Sequence, residues 1–408
     1  MKQENIAVIG LGYMGLPLAL LLTKAGYKVK GYDINEEKIE ILNQGKLPFD
    51  EKGLNELFED VKKTGNFKAQ NKLEASDVFI VSVPTPHKNH HIDLTYVLAA
   101  VNSVCKVLDN GNLVIIESTI SPNCCKKIIK PILDKTGKEY GLVHCPERAI
   151  PGKTLEELVS NNRIIGGKDK TSALRAKEIY SSFVKGEIFV TDITIAEVCK
   201  LAENTFRDIN IAYANELAKI CNDLKINVWE VINLANKHPR VNILYPGPGV
   251  GGHCIAIDPW FLTEATKRSK IVPLARNIND SAPEFVVSKL QDILNDLNYP
   301  YNNKKIVVLG LSYKANVGDD RESPSYTIID LLKQKKAQVK VYDPYLLEKS
   351  DFKTLKDALT WAEVIVLSTN HNIFVEQITP SKINANTIVF DTRNCLKHLV
   401  GYKYYYVL

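Results

Sequence analysis

Residues 6–33 of the 408-residue chain, IAVIGLGYMGLPLALLLTKAGYKVKGYD, decide the fold. Four apolar residues lead into the glycine-rich turn GLGYMG at residues 10–15, and an apolar helical segment follows as far as Gly26. A second strand-like segment then ends at Asp33. The order strand, glycine turn, helix, strand and acid predicts the first unit of a doubly wound α/β domain.

The glycine turn predicts a binding site for a dinucleotide. Gly10 allows the tight turn, Gly12 lets the backbone approach a pyrophosphate, and Gly15 lets the helix pack close to the strand. The first N–H groups of the helix can bind the phosphates. Asp33 can accept hydrogen bonds from a ribose diol and would repel a 2′-phosphate, so we expect NAD rather than NADP. The structural alternative is a glycine turn followed by a solvent-facing Asp33.

Two more strand-like segments, at residues 77–86 and 112–119, extend the predicted sheet. Both end in small polar residues, at the carboxyl edge where open α/β sheets bind ligands. The C-terminal part repeats this plan, because four segments match the N-terminal strands in order, at residues 305–312, 339–343, 362–368 and 386–392. The repetition predicts a second doubly wound domain.

The second turn differs from the first. It keeps Gly310 but has Ser312 and Tyr313 in place of the other glycines, followed by Lys314. We do not expect this turn to bind a dinucleotide in the same way. It could bind another phosphate ligand with Lys314 as the charge partner, or the second domain could be purely structural.

A helical region separates the two copies. Residues 194–224 carry apolar side chains at helical spacing without Pro or Gly, which predicts one helix about 45 Å long. The fold class is therefore α/β, with two Rossmann-like domains joined by a long central helix and a helical middle domain. We expect the domains to cover residues 1–193, 194–295 and 296–408.

A second glycine-rich stretch, PGPGVGGHC at residues 246–254, predicts a loop whose backbone approaches a ligand. The loop ends at Cys254, which is a candidate nucleophile. If a helix begins near Cys254, its N-terminal dipole would stabilise the thiolate, and Asp258 would share that face. The alternative is a structural cysteine, and we expect buried thiols for the seven cysteines at 105, 124, 125, 145, 199, 221 and 395.

Three polar residues share one face of the predicted central helix, namely Lys200, Asn204 and Arg207. Such a group is commonly a solvated surface. Here the neighbouring residues are apolar on most sides, which favours a stripe that lines a cleft.

The composition excludes several classes of protein. The net charge is only +5 and no long block of like charges occurs, so we do not expect a nucleic-acid partner. No apolar run reaches the ~18 residues that span a bilayer, and no leader precedes the first strand, so we expect a cytoplasmic protein without a membrane partner. No CxxC pair occurs, and we expect neither a metal site nor disulfides.

Together these residues resemble the UDP-glucose/GDP-mannose dehydrogenase family over essentially the whole chain. The cysteine loop and the Lys200–Asn204 pair are specific to that family, whereas the first glycine turn is not. The resemblance rests on the segments at residues 10–15, 83–86, 117–119, 144–148, 200–204, 249–254, 310–314 and 320–324.

The resemblance implies a four-electron oxidation of a sugar C6 alcohol to a carboxylate, with two NAD and one water. The intermediates would be a thiohemiacetal and a thioester on Cys254. Lys200 and Asn204 would stabilise or protonate the reacting oxygen, and Asp258 and Glu147 are the candidate bases. Which of these two carboxylates acts is left open.

The resemblance also implies two binding sets. The set for NAD is Gly10, Gly12, Tyr13, Met14, Gly15, Asp33, Lys38, Pro84, Thr85, Ser118, Thr119 and Arg321. The set for the UDP-sugar is Arg148, Ala149, Lys200, Asn204, Arg207, His238, Arg240, Gly251, Tyr313, Lys314 and Arg393. Lys38 stands where relatives often have Arg, so that contact is expected to be weaker. A homodimer through the central helix is implied, with a tetramer open and the Arg240 segment reaching the neighbour's site.

The expected substrate is a UDP-N-acetylhexosamine. Segments at residues 144–153, 157–167 and 237–242 resemble the branch of the family that acts on UDP-N-acetylmannosamine. UDP-N-acetylglucosamine differs at one stereocentre, worth about 1–3 kcal/mol of discrimination, and UDP-glucose is a more distant alternative. Two other classes stay open: an inactive nucleotide-sugar binding protein, and a two-electron NAD enzyme such as a hydroxyacid dehydrogenase.

Overall fold

The computed structural model describes residues 4–88, 90–150 and 152–408. The first residues of the chain and Pro151, which belongs to one segment of the family resemblance, lie outside the described residues. The chain divides into two compact units. The first comprises Met1–Glu203 with Trp260–Lys267, and the second comprises Asn204–Pro259 with Arg268–Leu408.

The first unit is built on an eight-stranded sheet and a short hairpin. Its strands are β1 Asn5–Ile9, β2 Lys28–Tyr32, β3 Phe67–Gln70, β4 Val78–Val81, the hairpin strands β5 His87–Lys88 and β6 His91–Ile92, β7 Asn112–Ile116, β8 Tyr140–His144, β9 Arg163–Gly167 and β10 Ile188–Asp192. The sheet order is β10-β9-β8-β7-β4-β1-β2-β3, and every neighbouring pair is parallel except β8 and β9. The central strands β4 and β7 are buried along their whole length, as expected where helices cover both faces of a parallel sheet.

Helices connect these strands. They are α1 Gly15–Lys24, α2 Glu36–Asn43, α3 Leu54–Lys62, α4 Thr95–Cys105, α5 Lys130–Asp134, α6 Thr154–Ser160 and α7 Lys170–Ser181. The long helix α8, Ile193–Asp223, contributes residues to both units. The helices that follow are α9 Val228–Ala235, α10 Asp258–Glu264, α11 Ile271–Asp280 and α12 Ala282–Asp296.

The second unit contains the predicted second doubly wound sheet. Its strands are β11 Lys305–Leu309, β12 Gln338–Tyr342, β13 Val364–Leu367, β14 Ile388–Asp391 and β15 Tyr405–Val407. Its remaining helices are α13 Pro324–Gln334, α14 Leu355–Trp361 and α15 Asn372–Gln377. The all-parallel order β12-β11-β13-β14-β15 repeats the order β2-β1-β4-β7-β8 of the first sheet, so the duplicated α/β fold predicted from the sequence is confirmed.

The central helix differs from its prediction by one residue at each end, and local contacts explain both limits. The side chain of Asp192 accepts a hydrogen bond from the Thr194 N–H at 2.8 Å and caps the first turn. At the other end Lys225 adopts a φ of 57°, and the Ile226 N–H bonds back to the Cys221 carbonyl oxygen. This left-handed stop ends the helix without a glycine.

Within residues 4–88, 90–150 and 152–408, no helix combines the length and the apolar character that crossing a bilayer requires.

A buried cluster of charged side chains lies where β7 and β8 end and β9 begins. Arg163, which is almost fully buried, bonds to Glu117 at 3.3 Å and to Glu147 at 2.6 Å. The Tyr180 hydroxyl also donates to Glu117, at 3.2 Å. Burial raises the pKa of Glu117 to about 7, opposed by the positive charge of Arg163 and assisted by the negative charge of Glu147.

This raised pKa predicts how stability depends on pH. The pKa of Glu117 is 4.5 in the unfolded chain and about 7 in the folded chain. Between these two pH values the folded chain keeps a proton on Glu117 that the unfolded chain has released. The stabilisation is therefore present at low pH and is lost as the pH rises through this window. Glu117→Gln has no proton to lose, so its stability relative to the natural protein should increase by about 1–3 kcal/mol between pH 5 and pH 8.

Urea denaturation of both proteins at the two pH values measures this difference. Glu139→Gln, at an exposed position, is the control and should show no such change. Equal pH dependence of the Glu117→Gln and natural proteins would contradict the assignment of the proton to Glu117.

Candidate active site

The first glycine turn packs as the sequence predicts. Gly10 has a φ of 94°, and its N–H donates to the Tyr32 carbonyl oxygen at 2.8 Å. A Cβ atom on Gly15 would overlap the carbonyl oxygen of Gly10, so helix α1 can approach the strand only with glycine at this position. A Cβ atom on Gly12 would meet nothing within 4 Å. Gly12 therefore leaves the backbone open to a ligand, which fits a pyrophosphate.

The start of α1 also fits an anion. Its N-cap residue is Met14, whose side chain caps no N–H group of the helix. The N-terminal end of a helix carries partial positive charge, which favours a phosphate group. Of the first N–H groups of α1, that of Leu16 donates to the Gly12 carbonyl oxygen at 3.1 Å, and Pro17 has none.

Asp33 follows β2 and is buried rather than solvent-facing, with 8% of its surface exposed. Its Oδ2 atom accepts from the Leu11 N–H at 2.8 Å and from Lys38 Nζ at 2.7 Å, while Oδ1 accepts from the Asn35 N–H at 2.9 Å. Burial raises the pKa of Asp33, but the hydrogen bonds from Lys38 and the two N–H groups outweigh it, so the net pKa is lowered. The carboxylate stays ionised, and Lys38 lies beside it.

The remaining NAD candidates of the first unit lie after β4 and β7. Ser118 Oγ accepts from the Val83 N–H at 2.9 Å and donates to the Val83 carbonyl oxygen at 2.7 Å, which fixes the segment that contains Pro84 and Thr85. Pro84 is exposed, Thr85 is buried and Thr119 is half-buried.

The exposed Tyr13 packs against the ring of Phe49, with the ring centroids 4.3 Å apart. Phe49 was not among the candidates from the sequence, because it follows α2 in a segment without a recognisable pattern.

In the second turn, backbone and side-chain groups of the protein bind the carboxylate that follows the second strand. Asp343, the counterpart of Asp33, accepts from the Leu311 N–H at 2.8 Å, from the Ser312 N–H and Oγ at 2.9 Å, and contacts His371 Nε2 at 3.1 Å. Asp343 and His371 are both fully buried. Burial raises the pKa of Asp343, but the hydrogen bonds from His371 and Ser312 outweigh burial, so the net pKa is lowered to about 2. The Asp343 carboxylate thus differs from that of Asp33, which keeps 8% of its residue surface exposed.

Cys254 differs from the other cysteines by its exposure. It is exposed, whereas the other seven are buried or half-buried. The carbonyl oxygen of Cys254 accepts from the Ile257 N–H at 3.0 Å and from the Asp258 N–H at 2.8 Å, so Cys254 begins a turn that leads into α10. Helix α10 itself starts four residues after Cys254, at Asp258, so Cys254 lies before the helix and not in its first turn.

Asp258 is bound to the central helix. Its Oδ2 atom accepts from the Asn204 side-chain amide at 2.6 Å, and both residues are buried. The structure thus brings together Cys254, Asp258 and Asn204, which were three separate candidates in the sequence. Lys200 is half-buried and lies one helical turn before Asn204 on α8.

The glycines of the cysteine loop are required by close packing within the second unit. A Cβ atom on Gly251 would lie 2.6 Å from the Glu322 carbonyl oxygen and 2.7 Å from Tyr313 Cβ. Gly252 has a φ of 86° and donates its N–H to the Arg321 carbonyl oxygen at 2.9 Å, and a Cβ atom on it would lie 2.7 Å from the Tyr313 ring. The loop therefore rests directly on the segment that follows the second turn.

Two candidate cations of this region have protein partners. The fork of Arg321 binds Asp319 through Nε at 2.9 Å and Nη2 at 2.6 Å. The Nε atom of Arg393 donates to the Ser368 carbonyl oxygen at 2.9 Å, and its Nη1 atom lies against Gly247. Burial lowers the pKa of Arg393 to about 10. Lys314 is exposed.

The segment after β8 is held by Glu147. Its Oε1 atom accepts from the N–H groups of Arg148 and Ala149, both at 2.6 Å, while Oε2 binds Arg163. The Arg148 side chain pairs with Glu203 through Nε at 2.9 Å and Nη2 at 2.8 Å. Glu203 and Arg163 were missed from the sequence, because each is distant in the chain from its partner.

Three predicted substrate residues are exposed. Arg207 lies on α8, and His238 and Arg240 follow α9. His238 Nδ1 accepts from the Arg240 N–H at 3.3 Å, which is a local loop contact.

Comparison with known proteins identifies the family. The chain matches the NAD binding domain of the UDP-glucose/GDP-mannose dehydrogenase family at residues 4–184, its central domain at 194–281 and its UDP binding domain at 307–398.

The relatives agree with this match. UDP-N-acetyl-D-mannosamine dehydrogenase of Methanococcus vannielii is 47% identical over 97% of this chain and 94% of its own. NDP-N-acetyl-D-galactosaminuronic acid dehydrogenase of Ralstonia nicotianae is 39% identical over 96% of each chain. The solved UDP-D-ManNAc dehydrogenase of Pyrococcus horikoshii is 39% identical, with a TM-score of 0.92 over 99% of this chain and 98% of its own. The chain therefore belongs to the UDP-glucose/GDP-mannose dehydrogenase family and is an NAD-dependent UDP-sugar dehydrogenase.

Proposed function

We propose that this enzyme oxidises the C6 alcohol of UDP-N-acetyl-D-mannosamine to the carboxylate and so forms UDP-N-acetyl-D-mannosaminuronate. The choice of sugar is supported by the relatives that carry this activity in their names. The reaction type is carried by one observation: Cys254 is exposed and begins a turn bonded to Asp258, which in turn binds Asn204.

NAD would be held by the first glycine turn, the start of α1 and Asp33, together with the other cofactor residues predicted from the sequence. When bound, NAD accepts a hydride in each of two successive oxidations. Gly12 offers an open backbone to the pyrophosphate, and Asp33 offers an ionised carboxylate to the ribose.

Cys254 supplies the covalent step. After the alcohol has lost one hydride and one proton, the thiolate adds to the aldehyde carbon, and the former carbonyl oxygen takes up a proton to give a thiohemiacetal. Loss of a second hydride and the hydroxyl proton leaves a thioester. Water then attacks the thioester carbon, the carbon–sulfur bond breaks, and the carboxylate, the Cys254 thiolate and two protons are released.

The polar residues proposed for the reaction have distinct roles. Lys200 donates or accepts the proton of the reacting oxygen and stabilises its negative charge. Asn204 donates to that oxygen or to the water, and Asp258 orients Asn204 through their 2.6 Å bond. Glu147 already binds two N–H groups and Arg163, so we assign it first to shaping the Arg148–Ala149 segment. Either carboxylate remains a candidate base for the water.

The UDP-sugar would bind to residues around the cysteine loop and the second turn, namely Gly251, Tyr313, Lys314 and Arg393, together with Arg148, Ala149, Arg207, His238 and Arg240. A diphosphate requires cations, and these residues supply several. We further propose a homodimer, because Phe206, Tyr213 and Ile220 are exposed at seven-residue spacing on α8.

Replacement of the nucleophile tests the covalent step. Cys254→Ser should lower steady-state NADH production by roughly 10³-fold or more, since a serine is a far weaker nucleophile without a dedicated base. NAD affinity, measured by fluorescence titration, should stay within about twofold, because the proposed NAD residues are unchanged. Cys105→Ser, at a half-buried cysteine at the end of α4, is the matched control and should keep full activity. Unchanged turnover in Cys254→Ser would contradict the mechanism.

Stoichiometry and a substrate panel test the reaction and the sugar. Two NADH per sugar are expected, whereas a hydroxyacid-type enzyme would give one and an inactive binding protein none. Among the UDP derivatives of N-acetylmannosamine, N-acetylglucosamine, N-acetylgalactosamine and glucose, kcat/KM should favour the first by roughly 5- to 150-fold. Absorbance at 340 nm and product mass measure both quantities, and a higher kcat/KM for another sugar would reassign the substrate.

A substitution at the ribose carboxylate tests the choice of cofactor. Asp33→Asn removes the charge that repels a 2′-phosphate and frees Lys38 to attract it. The KM for NAD should rise, and the preference for NAD over NADP should fall by about tenfold or more. Asp60→Asn, at an exposed acid paired with Lys24, is the control. An unchanged cofactor preference would exclude Asp33 from the ribose site.

A further inference from the structure

We infer that Asn215 and Asn279 are positioning residues that hold the start of the cysteine loop, residues 246–254, in its reactive conformation. They act on the loop through buried hydrogen bonds that reach its start at Gly247. The inference rests on the proposed function, in which Cys254 is the nucleophile of the oxidation.

A chain of buried hydrogen bonds connects the loop to an ion pair. The Gly247 N–H donates to Asn215 Oδ1 at 2.9 Å, and Asn215 Nδ2 donates to Asn279 Oδ1 at 2.8 Å. Asn279 Nδ2 then donates to Asp208 Oδ1 at 2.8 Å and to the Asp208 carbonyl oxygen at 3.0 Å. Arg276 Nη1 binds Asp208 Oδ1 at 2.6 Å.

The direction of this chain is fixed by chemistry at both ends. The Gly247 N–H can only donate, so Asn215 must present its oxygen to the loop and its NH₂ group to Asn279. Asp208 next to Arg276 presents a carboxylate acceptor, so Asn279 must present its NH₂ group to Asp208. Each amide therefore has one orientation, and two asparagines in series carry the constraint from the ion pair to the loop.

Burial makes this connection rigid. Asp208, Asn215, Arg276 and Asn279 are each at most 3% exposed. Buried polar groups cannot exchange protein partners for water without losing a hydrogen bond. Asp208 and Asn215 are two helical turns apart on α8, and Arg276 and Asn279 lie on α11. The chain of hydrogen bonds is therefore anchored on two helices.

The loop is fixed again further along. A Cβ atom on Gly247 would lie 2.6 Å from Arg393 Nη1, so this glycine is held between Asn215 and a proposed substrate residue. The Gly252 N–H binds the Arg321 carbonyl oxygen, and Cys254 is bonded through its carbonyl oxygen to Asp258. Among these anchors, the one at Gly247 depends on side chains that the mechanism does not otherwise use.

Release of this anchor should impair chemistry more than cofactor binding. A reacting atom displaced by about 1 Å can lower the rate by about 10²-fold. Asn215→Ala should therefore lower kcat by about 10- to 100-fold and leave the KM for NAD within about twofold.

Hydrogen exchange gives a readout that is independent of catalysis. In Asn215→Ala the amide of Gly247 loses its acceptor, so backbone exchange in a peptide covering residues 246–254 should become roughly 3- to 10-fold faster. The matched control is Asn222→Ala, which removes an asparagine two turns further along α8 that binds Lys289 at 2.6 Å. The control should change neither kcat nor exchange in the loop.

A conservative variant separates positioning from stability. Asn215→Asp keeps an acceptor for the Gly247 N–H but places a carboxylate against Asn279 Oδ1, so it should be less stable than Asn215→Ala while keeping a higher kcat at pH 8. A purely structural role would make kcat follow stability. If Asn215→Asp does not fold, the comparison of Asn215→Ala with Asn222→Ala, in kcat and in hydrogen exchange of the loop, tests the inference by itself.

Two results would overturn the inference: unchanged loop exchange in Asn215→Ala, or a fall in kcat that Asn222→Ala reproduces. The exchange data do not require Cys254 to be the nucleophile. Failure of the proposed function, seen as full turnover in Cys254→Ser, is thus distinguishable from failure of the loop anchor.

Discussion

The carboxylate that follows the second strand of each sheet binds the first backbone N–H after the turn glycine. Asp33 binds the Leu11 N–H and Asp343 binds the Leu311 N–H, both at 2.8 Å. This bond ties each glycine turn to the neighbouring strand and sets where a ligand could enter. In the first unit the turn stays open, because Gly12 carries no side chain. In the second unit Ser312 and His371 bind the same oxygen of the carboxylate, and Asp343 is fully buried.

The second turn and the segment after it pack against the glycines of the cysteine loop. Tyr313 of the turn and Glu322 of the following segment make these contacts. The loop glycines are therefore needed for contact within the chain as much as for contact with a ligand. A duplicated fold can in this way give two different sites, because the sheet fixes the strand ends and the turn residues decide which groups reach them.

Much of the proposed active site is held by buried polar contacts over long sequence separations. Asn204 binds Asp258, and Arg163 holds both Glu117 and Glu147. Within the low-dielectric interior each such bond restricts its partners strongly, and an unmade bond is unfavourable. The exposed Cys254 begins a turn whose last residue, Asp258, is held in this way by Asn204.

The sequence by itself determined the doubly wound sheets, the long helix within one residue of its ends, and the nucleophile candidate, because these depend on local periodicity and on glycine spacing. It also identified Asn204 and Asp258 as candidates through helical spacing, and Glu147 through resemblance to a family. Only the tertiary structure decided that Asn204 binds Asp258, that Glu147 is engaged by Arg163, and that α10 starts after Cys254 rather than at it. The reason is that periodicity reports which face of an element is buried, whereas hydrogen-bond partners distant in the chain are chosen by how the elements pack.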